Sequence, residues 1–185
     1  MQPRKTAIFI DNGYFSKLCI GFGRKDTCFK KITDYIAKEN NVADFVVYIY
    51  DCMPHQSKKP TRRERELYAK KDRFFSSMKK KGFIIRLGKL QKLPGKKFKQ
   101  KKVDTLWTAD ISRLVYTKEI GKAILISGDS DFIPGVEIAK SVCIPTILWY
   151  GDTSRTTTSR ELRKICDEKY QITKSILDKC KLDSK

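Results

Sequence analysis

One uninterrupted apolar run that ends in two aspartates constrains the fold of this chain more than any other feature. Residues 123–126 (Ala-Ile-Leu-Ile) are followed by Ser-Gly-Asp-Ser-Asp at 127–131. An apolar run without alternation is typical of a strand buried on both faces, in the middle of a parallel sheet. Ligands bind at the carboxyl ends of such strands. The pattern therefore predicts a central strand that carries Asp129 and Asp131 to a binding edge, where two carboxylates indicate a cation.

Helical and strand-like segments alternate along the rest of the chain. Apolar runs predict strands at 6–11, 45–51, 83–87 and 144–149, with a last edge strand at 170–172. Helical spacing predicts helices at 29–40, 61–81, from 103 onward, at 132–141 and at 161–167, and Asn12-Gly13 predicts a turn. This order predicts an α/β protein: a Rossmann-like α/β/α sandwich with a mainly parallel central sheet of about five strands, formed by a single domain over 1–185.

The net charge of +19 is concentrated in the central third of the chain. Residues 53–102 hold 19 Lys and Arg against 3 Asp and Glu, a balance of +16, whereas the flanking segments are near neutrality. A block this one-sided favours a polyanionic partner, with nucleic acid preferred over an acidic membrane surface. It comprises the 61–81 helix and a lysine-rich insertion at 88–102, where Pro94-Gly95 predicts a hairpin or a mobile loop. Phe98 is a candidate for base stacking, and the candidates for phosphate contact are Lys58, Lys59, Arg62, Arg63, Lys99, Lys101 and Lys102.

Several function classes are excluded by what the chain lacks. His55 is the one histidine, and the six cysteines are scattered without a Cys-x-x-Cys pair, which argues against a zinc site and against a two-histidine nuclease. There is no phosphate-binding loop of the Gly-x-x-x-x-Gly-Lys type and no dinucleotide-binding turn. No stretch approaches the roughly 18 apolar residues of a membrane span, and no signal peptide precedes the first strand, so we expect a cytoplasmic protein without membrane association.

Other acidic residues are predicted to join the two aspartates. Asp11 ends the first strand, and Asp104 opens the helix that leads into the central strand, where it is equally well explained as a helix cap. Asp110 ranks lower, because six residues along a helix place it on a different face from Asp104. An all-oxygen site of this kind suits Mg²⁺ or Mn²⁺, which supplies a nucleophile and stabilises a phosphoryl transition state. Asn12 and Ser127 are placed to orient ligands or water, although Ser127 is equally well explained as a hydrogen-bonding residue at the strand end.

Three motifs and the tail of this chain resemble the NYN domain, a LabA-like family of the PIN-like nuclease superfamily. They are Ile10-Asp11-Asn12, Lys102-Val103-Asp104, Ser127-Gly128-Asp129-Ser130-Asp131-Phe132, and the tail segment from Leu162 to Glu168. The resemblance implies a PIN-like fold and a metal-dependent ribonuclease. It assigns metal binding to Asp11, Asp104, Asp129 and Asp131, and a supporting catalytic role to Asn12. Lys102 stands where the family usually has glycine, and Gly13-Tyr14 departs from the usual residues after Asn12.

Two functions of different classes follow from the sequence. The first is an Mg²⁺- or Mn²⁺-dependent endoribonuclease that binds single-stranded or structured RNA on its basic surface and hydrolyses it at the acidic site. The alternative is a non-catalytic RNA-binding module of the same fold, and a metal-dependent phosphatase acting on small substrates is a third. The sequence leaves a homo-oligomer open.

Overall fold

A seven-stranded sheet with helices on both faces forms the core of the protein. The computed structural model describes residues 4–92, 98–101 and 103–183. The strands are β1 (Lys5–Asp11), β2 (Phe45–Cys52), β3 (Ile84–Lys92), β4 (Phe98–Lys101), β5 (Ile120–Ile126), β6 (Thr146–Tyr150) and β7 (Glu168–Gln171). The helices are α1 (Asn12–Gly21), α2 (Phe29–Glu39), α3 (Arg62–Lys80), α4 (Val103–Tyr116), α5 (Ile133–Ser141), α6 (Arg160–Ile165) and α7 (Lys174–Lys179), and a short 3₁₀ turn covers Ser130–Phe132.

The strand order β4-β3-β2-β1-β5-β6-β7 is that of a doubly wound sheet. Six strands are parallel, and β4 alone pairs antiparallel, with β3. The predicted α/β class and mainly parallel sheet are therefore confirmed. The sheet has six parallel strands, one more than the predicted count of about five. The pairing of β3 with β4 confirms a hairpin in the lysine-rich insertion; Pro94-Gly95 lies outside the described residues.

The alternating faces of β1 explain why its apolar run is unbroken. Ile8 and Ile10 belong to a core layer shared with α1, α2, α3 and α7, whereas Ala7 and Phe9 belong to the layer shared with α4, α5 and α6. All four side chains are at most 1% exposed. The chain leaves β1 toward β2 on one side and returns through β5 on the other, so the carboxyl ends of β1 and β5 form the switch point where such sheets bind ligands.

The segment after β1 differs from the expectation. Asn12-Gly13 was expected to turn the chain, but α1 begins there directly. The Asp11 carboxylate accepts a hydrogen bond from the Tyr14 N–H, 3.1 Å away, and so caps the first turn of α1. One residue thus ends a strand, starts a helix and contributes its carboxylate to the switch point.

Among the described residues, no helix combines the length and the apolar character needed to cross a membrane.

Candidate metal centre

Two of the predicted acidic residues line one open pocket at the switch point. Asp11 comes from the end of β1, and Asp129 follows the adjacent strand β5 by three residues. The pocket measures about 440 Å³, and its other lining residues are Gly13, Tyr14, Lys17, Gly128, Ser130, Thr156, Thr157 and Ser159. The lining therefore offers two carboxylates, several hydroxyl groups and one lysine, which is a donor set made almost entirely of oxygen.

The surroundings of Asp11 oppose its ionisation. Burial raises the pKa of this carboxyl group to about 6, and the nearby charges of Asp129 and Asp51 act in the same direction. Hydrogen bonds from the backbone N–H groups of Tyr14 and Gly13 only partly offset this effect. A cation placed in the pocket would favour the ionised form, because an opposite charge within a few ångströms lowers a carboxyl pKa.

The loop after β5 holds Asp129 at the pocket by local hydrogen bonds. The backbone N–H of Asp129 donates to Ser127 Oγ at 3.3 Å, and Asp129 Oδ1 accepts from the backbone N–H of Asp131 at 3.1 Å. Asp129 is thus the cap of the 3₁₀ turn, and the buried Ser127 supports it from the strand end. Ser127 thus acts as a hydrogen-bond acceptor at the strand end, and its orientation of a ligand or water stays a prediction.

Close packing explains the glycine in this loop. A Cβ atom on Gly128 would lie 2.3 Å from Cε2 of Tyr14 and 2.9 Å from the carbonyl oxygen of Thr157. The Tyr14 hydroxyl in turn donates to the carbonyl oxygen of Gly151 at 2.7 Å, which ties α1 to the 151–159 loop. Gly128 lets the three segments that line the pocket meet.

Asp104 and Asp131 lie near the same edge of the sheet but do not line this pocket. Asp104 is in the first turn of α4 and is partly buried, whereas the Asp131 side chain, in the 3₁₀ turn, is exposed. The two elements are packed together through Phe132 and Trp107, whose ring centroids are 4.9 Å apart. Within residues 4–92, 98–101 and 103–183, no three His, Cys, Asp or Glu side chains are close enough to hold one metal ion.

A fifth acidic residue, Asp51, adjoins Asp11 and was not among the predicted site residues. It lies in β2, next to β1, and is 4% exposed. Its carboxylate accepts hydrogen bonds from the Asn12 amide and from the Cys52 N–H and pairs with the Lys71 ammonium of α3. The available signal was that the apolar run of the predicted strand at 45–51, like that of the first strand, stops at an aspartate.

Asn12 holds the adjacent acid in place. Its Nδ2 donates to Asp51, and its Oδ1 accepts from Ser16 Oγ at 3.2 Å. Asn12 is 2% exposed, and its hydrogen bond to Asp51 is shielded from water. The supporting catalytic role that the resemblance implies for Asn12 stays a prediction.

Asp110 does not line the pocket; its carboxylate binds side chains of the sheet instead. Its carboxylate accepts two hydrogen bonds from Arg86 of β3, both of 2.7 Å, and one from the Tyr50 hydroxyl of 2.8 Å. Burial and the Asp110 charge raise the pKa of Tyr50 well above its usual value. The cluster of Asp110, Arg86 and Tyr50 joins α4 to β2 and β3. Asp110 therefore has structural partners, as its lower rank among the predicted metal ligands would allow.

The basic helix α3 is tied at its middle to the carboxyl end of β2. Lys71, near its middle, reaches Asp51 at the carboxyl end of β2, and the buried residues of the helix, Phe75 and Met78, come after Lys71. The first half of α3 therefore flanks the site with its surface open to solvent. A capping box between Thr61 and Glu64 fixes its start.

The candidate phosphate-binding residues are distributed around this half of α3. Lys58, Lys59, Arg62 and Arg63 are exposed, as a phosphate-binding role requires. Lys71, which also belongs to the basic block at 53–102, turns inward and pairs with Asp51. Lys99 and Lys101 lie in β4, in the same strand as Phe98, whereas Lys102 lies outside the described residues.

Comparison with known proteins identifies the family. The model of the NYN domain matches residues 5–174, nearly the whole chain. The chain belongs to the NYN domain family. The matched range contains Asp11, Asp51, Asp104 and both aspartates of the 127–132 motif, so the resemblance inferred from four short segments extends over the full NYN fold.

Comparisons with individual proteins add little to the family assignment of this NYN domain. A search of curated proteins gives no match. Among solved structures, MurG of Acinetobacter baumannii is similar with a TM-score of 0.48 and 12% sequence identity. The similarity covers 91% of this chain and 41% of the MurG chain, so the NYN domain spans less than half of that protein.

Proposed function

We propose that this NYN domain is a metal-dependent endoribonuclease. The observation that carries the proposal is the pocket shared by Asp11 and Asp129, two carboxylates from neighbouring strand ends, in which burial and the Asp129 charge raise the pKa of Asp11. Membership in the NYN family supports a PIN-like nuclease fold and an RNA substrate. The concentration of positive charge on and around α3 supports a polyanion bound beside the pocket.

The residues of the pocket fit Mg²⁺ or Mn²⁺. Mg²⁺ keeps several waters and is usually held by one or two carboxylates together with substrate phosphates. Asp11 and Asp129 would supply the two carboxylates, and Asp104 and Asp131, on the adjoining elements, are the proposed additional acidic ligands. When bound, such an ion activates water and neutralises charge that develops on the phosphoryl group.

The chain's own side chains position the RNA. Lys17 at the pocket supplies a positive charge for the scissile phosphate, and Ser159 and Thr157 offer hydroxyl groups at the same wall. Asn12 fixes Asp51, so the carboxylate of β2 stays paired with Lys71 and away from the pocket. Lys58, Lys59, Arg62 and Arg63 hold the flanking backbone through phosphate contacts, which fix register without reading sequence.

Metal dependence tests the proposal directly. The purified protein with Mn²⁺ or Mg²⁺ is expected to cut at least part of a panel of end-labelled single-stranded and hairpin RNAs, leaving 5′-phosphate and 3′-hydroxyl ends. Excess EDTA is expected to stop cleavage, and added Mn²⁺ to restore it. Gel electrophoresis with end analysis provides the measurement. An intact panel in both metals would remove the nuclease proposal.

A second candidate, an RNA-binding module without catalysis, is favoured by one observation. Among the described residues, no three His, Cys, Asp or Glu side chains are grouped closely enough to hold one ion. Such a module would retain RNA equally well with Mn²⁺ and with EDTA, and no product would form.

The salt dependence of binding tests the role assigned to the basic surface. With about four phosphate contacts on single-stranded RNA, the logarithm of affinity is expected to fall with the logarithm of salt concentration with a slope of about −3. Replacing both Arg62 and Arg63 by alanine is expected to make this slope shallower by about 1.4. Lys38→Ala, an exposed lysine in the last turn of α2, is the control and is expected to leave the slope unchanged. A flat salt response of the parent chain would contradict the assigned phosphate contacts.

A further inference from the structure

A second cavity begins one residue away from the acidic pocket. It is a groove of about 640 Å³ between α3 and the segment that joins α1 to α2. Asn12 lines this groove, whereas the preceding residue, Asp11, lines the acidic pocket. A ligand that reaches from one cavity into the other therefore passes directly beside the proposed site of hydrolysis.

The floor of the groove is apolar and partly aromatic. Phe29 and Phe74 meet edge to face with ring centroids 5.3 Å apart, and both side chains remain partly accessible. Leu67 precedes Phe74 by about two turns of α3, and it is 50% exposed. Exposed apolar and aromatic surface in a concave site of this volume is typical of a small-ligand pocket.

The rim of the groove is positively charged. Lys25, Lys70 and Lys81 line it with exposed side chains, and Lys71 lies between them. None of the described residues that line the groove is acidic. An apolar floor with a rim of one charge sign complements a ligand that has a flat apolar part and an anionic part.

We propose that this groove binds one unstacked nucleotide of the RNA, next to the phosphate that enters the acidic pocket. The base packs against Leu67, Phe29 and Phe74, and the lysines of the rim contact its flanking phosphates. Single-stranded nucleic acids are commonly held in this way, by aromatic surface under the bases and positive charge along the backbone. The inference rests on the proposed function for the identity of the RNA, and the rim charge favours this polyanion over an apolar peptide.

Two adjacent serines of α3 provide a matched test. Ser77 lines the groove, whereas Ser76 does not, and both are exposed. Ser77→Trp places an indole in the groove and is expected to weaken binding of a fluorescein-labelled eight-nucleotide single-stranded RNA about tenfold, since the indole displaces the base that stacks there. Ser76→Trp is expected to leave the affinity within about twofold. The measurement is fluorescence anisotropy in EDTA, which keeps the RNA intact.

Further arms separate this inference from the nuclease proposal. Leu67→Ala, which removes apolar surface without filling the groove, is expected to weaken RNA binding about fivefold. A sugar-phosphate oligomer without bases is expected to bind the Ser77→Trp and Ser76→Trp variants equally. Equal RNA affinity of Ser77→Trp and Ser76→Trp would overturn the nucleotide site and leave an apolar peptide as the occupant. Failure of cleavage in Mn²⁺, with the tenfold difference intact, would overturn the nuclease and leave the nucleotide site standing.

Discussion

Replacing Asp11 by asparagine is expected to lower the rate of RNA cleavage about 1,000-fold while RNA binding persists. The substitution removes one of the two carboxylates that share the pocket, and losing a single group that stabilises the transition-state charge commonly costs a factor of this size. Asn still offers an oxygen that accepts the Tyr14 N–H, so the cap of α1 is kept. Cleavage is measured in Mn²⁺, and binding by anisotropy in EDTA.

The same substitution is expected to stabilise the metal-free protein at high pH. The Asp11 pKa is about 6 in the folded protein against an ordinary value of 3.8, so its contribution to the free energy of unfolding is present below about pH 4 and is lost as the pH rises through 6. At pH 8 the asparagine variant avoids the cost of the buried charge and gains up to about 3 kcal/mol. This gain shrinks below pH 6 and vanishes below pH 4. Urea denaturation in EDTA across this range measures it.

Asp129→Asn is the matched control for Asp11→Asn. Asp129 contributes to the same pocket but is exposed, so its replacement is expected to abolish cleavage and to leave the stability nearly unchanged. RNA binding is expected to persist in both variants. Cleavage at the parent rate by either variant would contradict the assignment of the two carboxylates, and an unchanged stability of Asp11→Asn at pH 8 would contradict the electrostatic account of the pocket.

Replacing Asp110 by alanine is expected to lower the free energy of unfolding by about 3 kcal/mol. The change leaves Arg86 and the Tyr50 hydroxyl without the carboxylate that accepts three hydrogen bonds, and removing one partner of a buried ion pair typically costs 3–5 kcal/mol. The lower end applies, because 37% of the Arg86 side chain reaches solvent and water screens its charge.

The control for Asp110→Ala is an ion pair on the surface. Asp34→Ala breaks the exposed pair with Lys30 in α2 and is expected to cost less than about 1 kcal/mol. Both variants are compared by urea denaturation at one pH and salt concentration. A loss for Asp110→Ala no greater than that for Asp34→Ala would show that the cluster of Asp110, Arg86 and Tyr50 does not stabilise the fold.

The central strands could be predicted because burial on both faces removes alternation from their sequences. Residues 7–10 and 123–126 are apolar throughout, and each run stops where the chain reaches the polar carboxyl edge. The same logic placed Asp11 and Asp129 at one edge, and the structure puts them in one pocket. Patterns along a single segment were sufficient for this part of the site.

The remaining features depend on contacts between distant segments. Lys71 belongs to a basic helix and gives no local sign that it turns inward, because its partner Asp51 lies 20 residues earlier. The start of α1 was missed because Asn12-Gly13 is typical of turns, whereas the preceding aspartate supplies the helix cap. Asp104 and Asp131 were grouped with Asp11 from strand ends and motifs. The spacing of residues along the chain does not give the distances between side chains on three different elements, so it could not show that these two aspartates do not line the pocket.

The contact between Lys71 and Asp51 fixes the basic helix relative to the acidic pocket. Arg62 is nine residues before Lys71, which along a helix corresponds to about 13 Å. Under the proposed function, phosphates bound at the start of α3 would therefore lie at a set distance from the scissile phosphate at the pocket. The domain would act as a molecular ruler: an oligonucleotide too short to span this interval can occupy either the helix or the pocket, but not both at once.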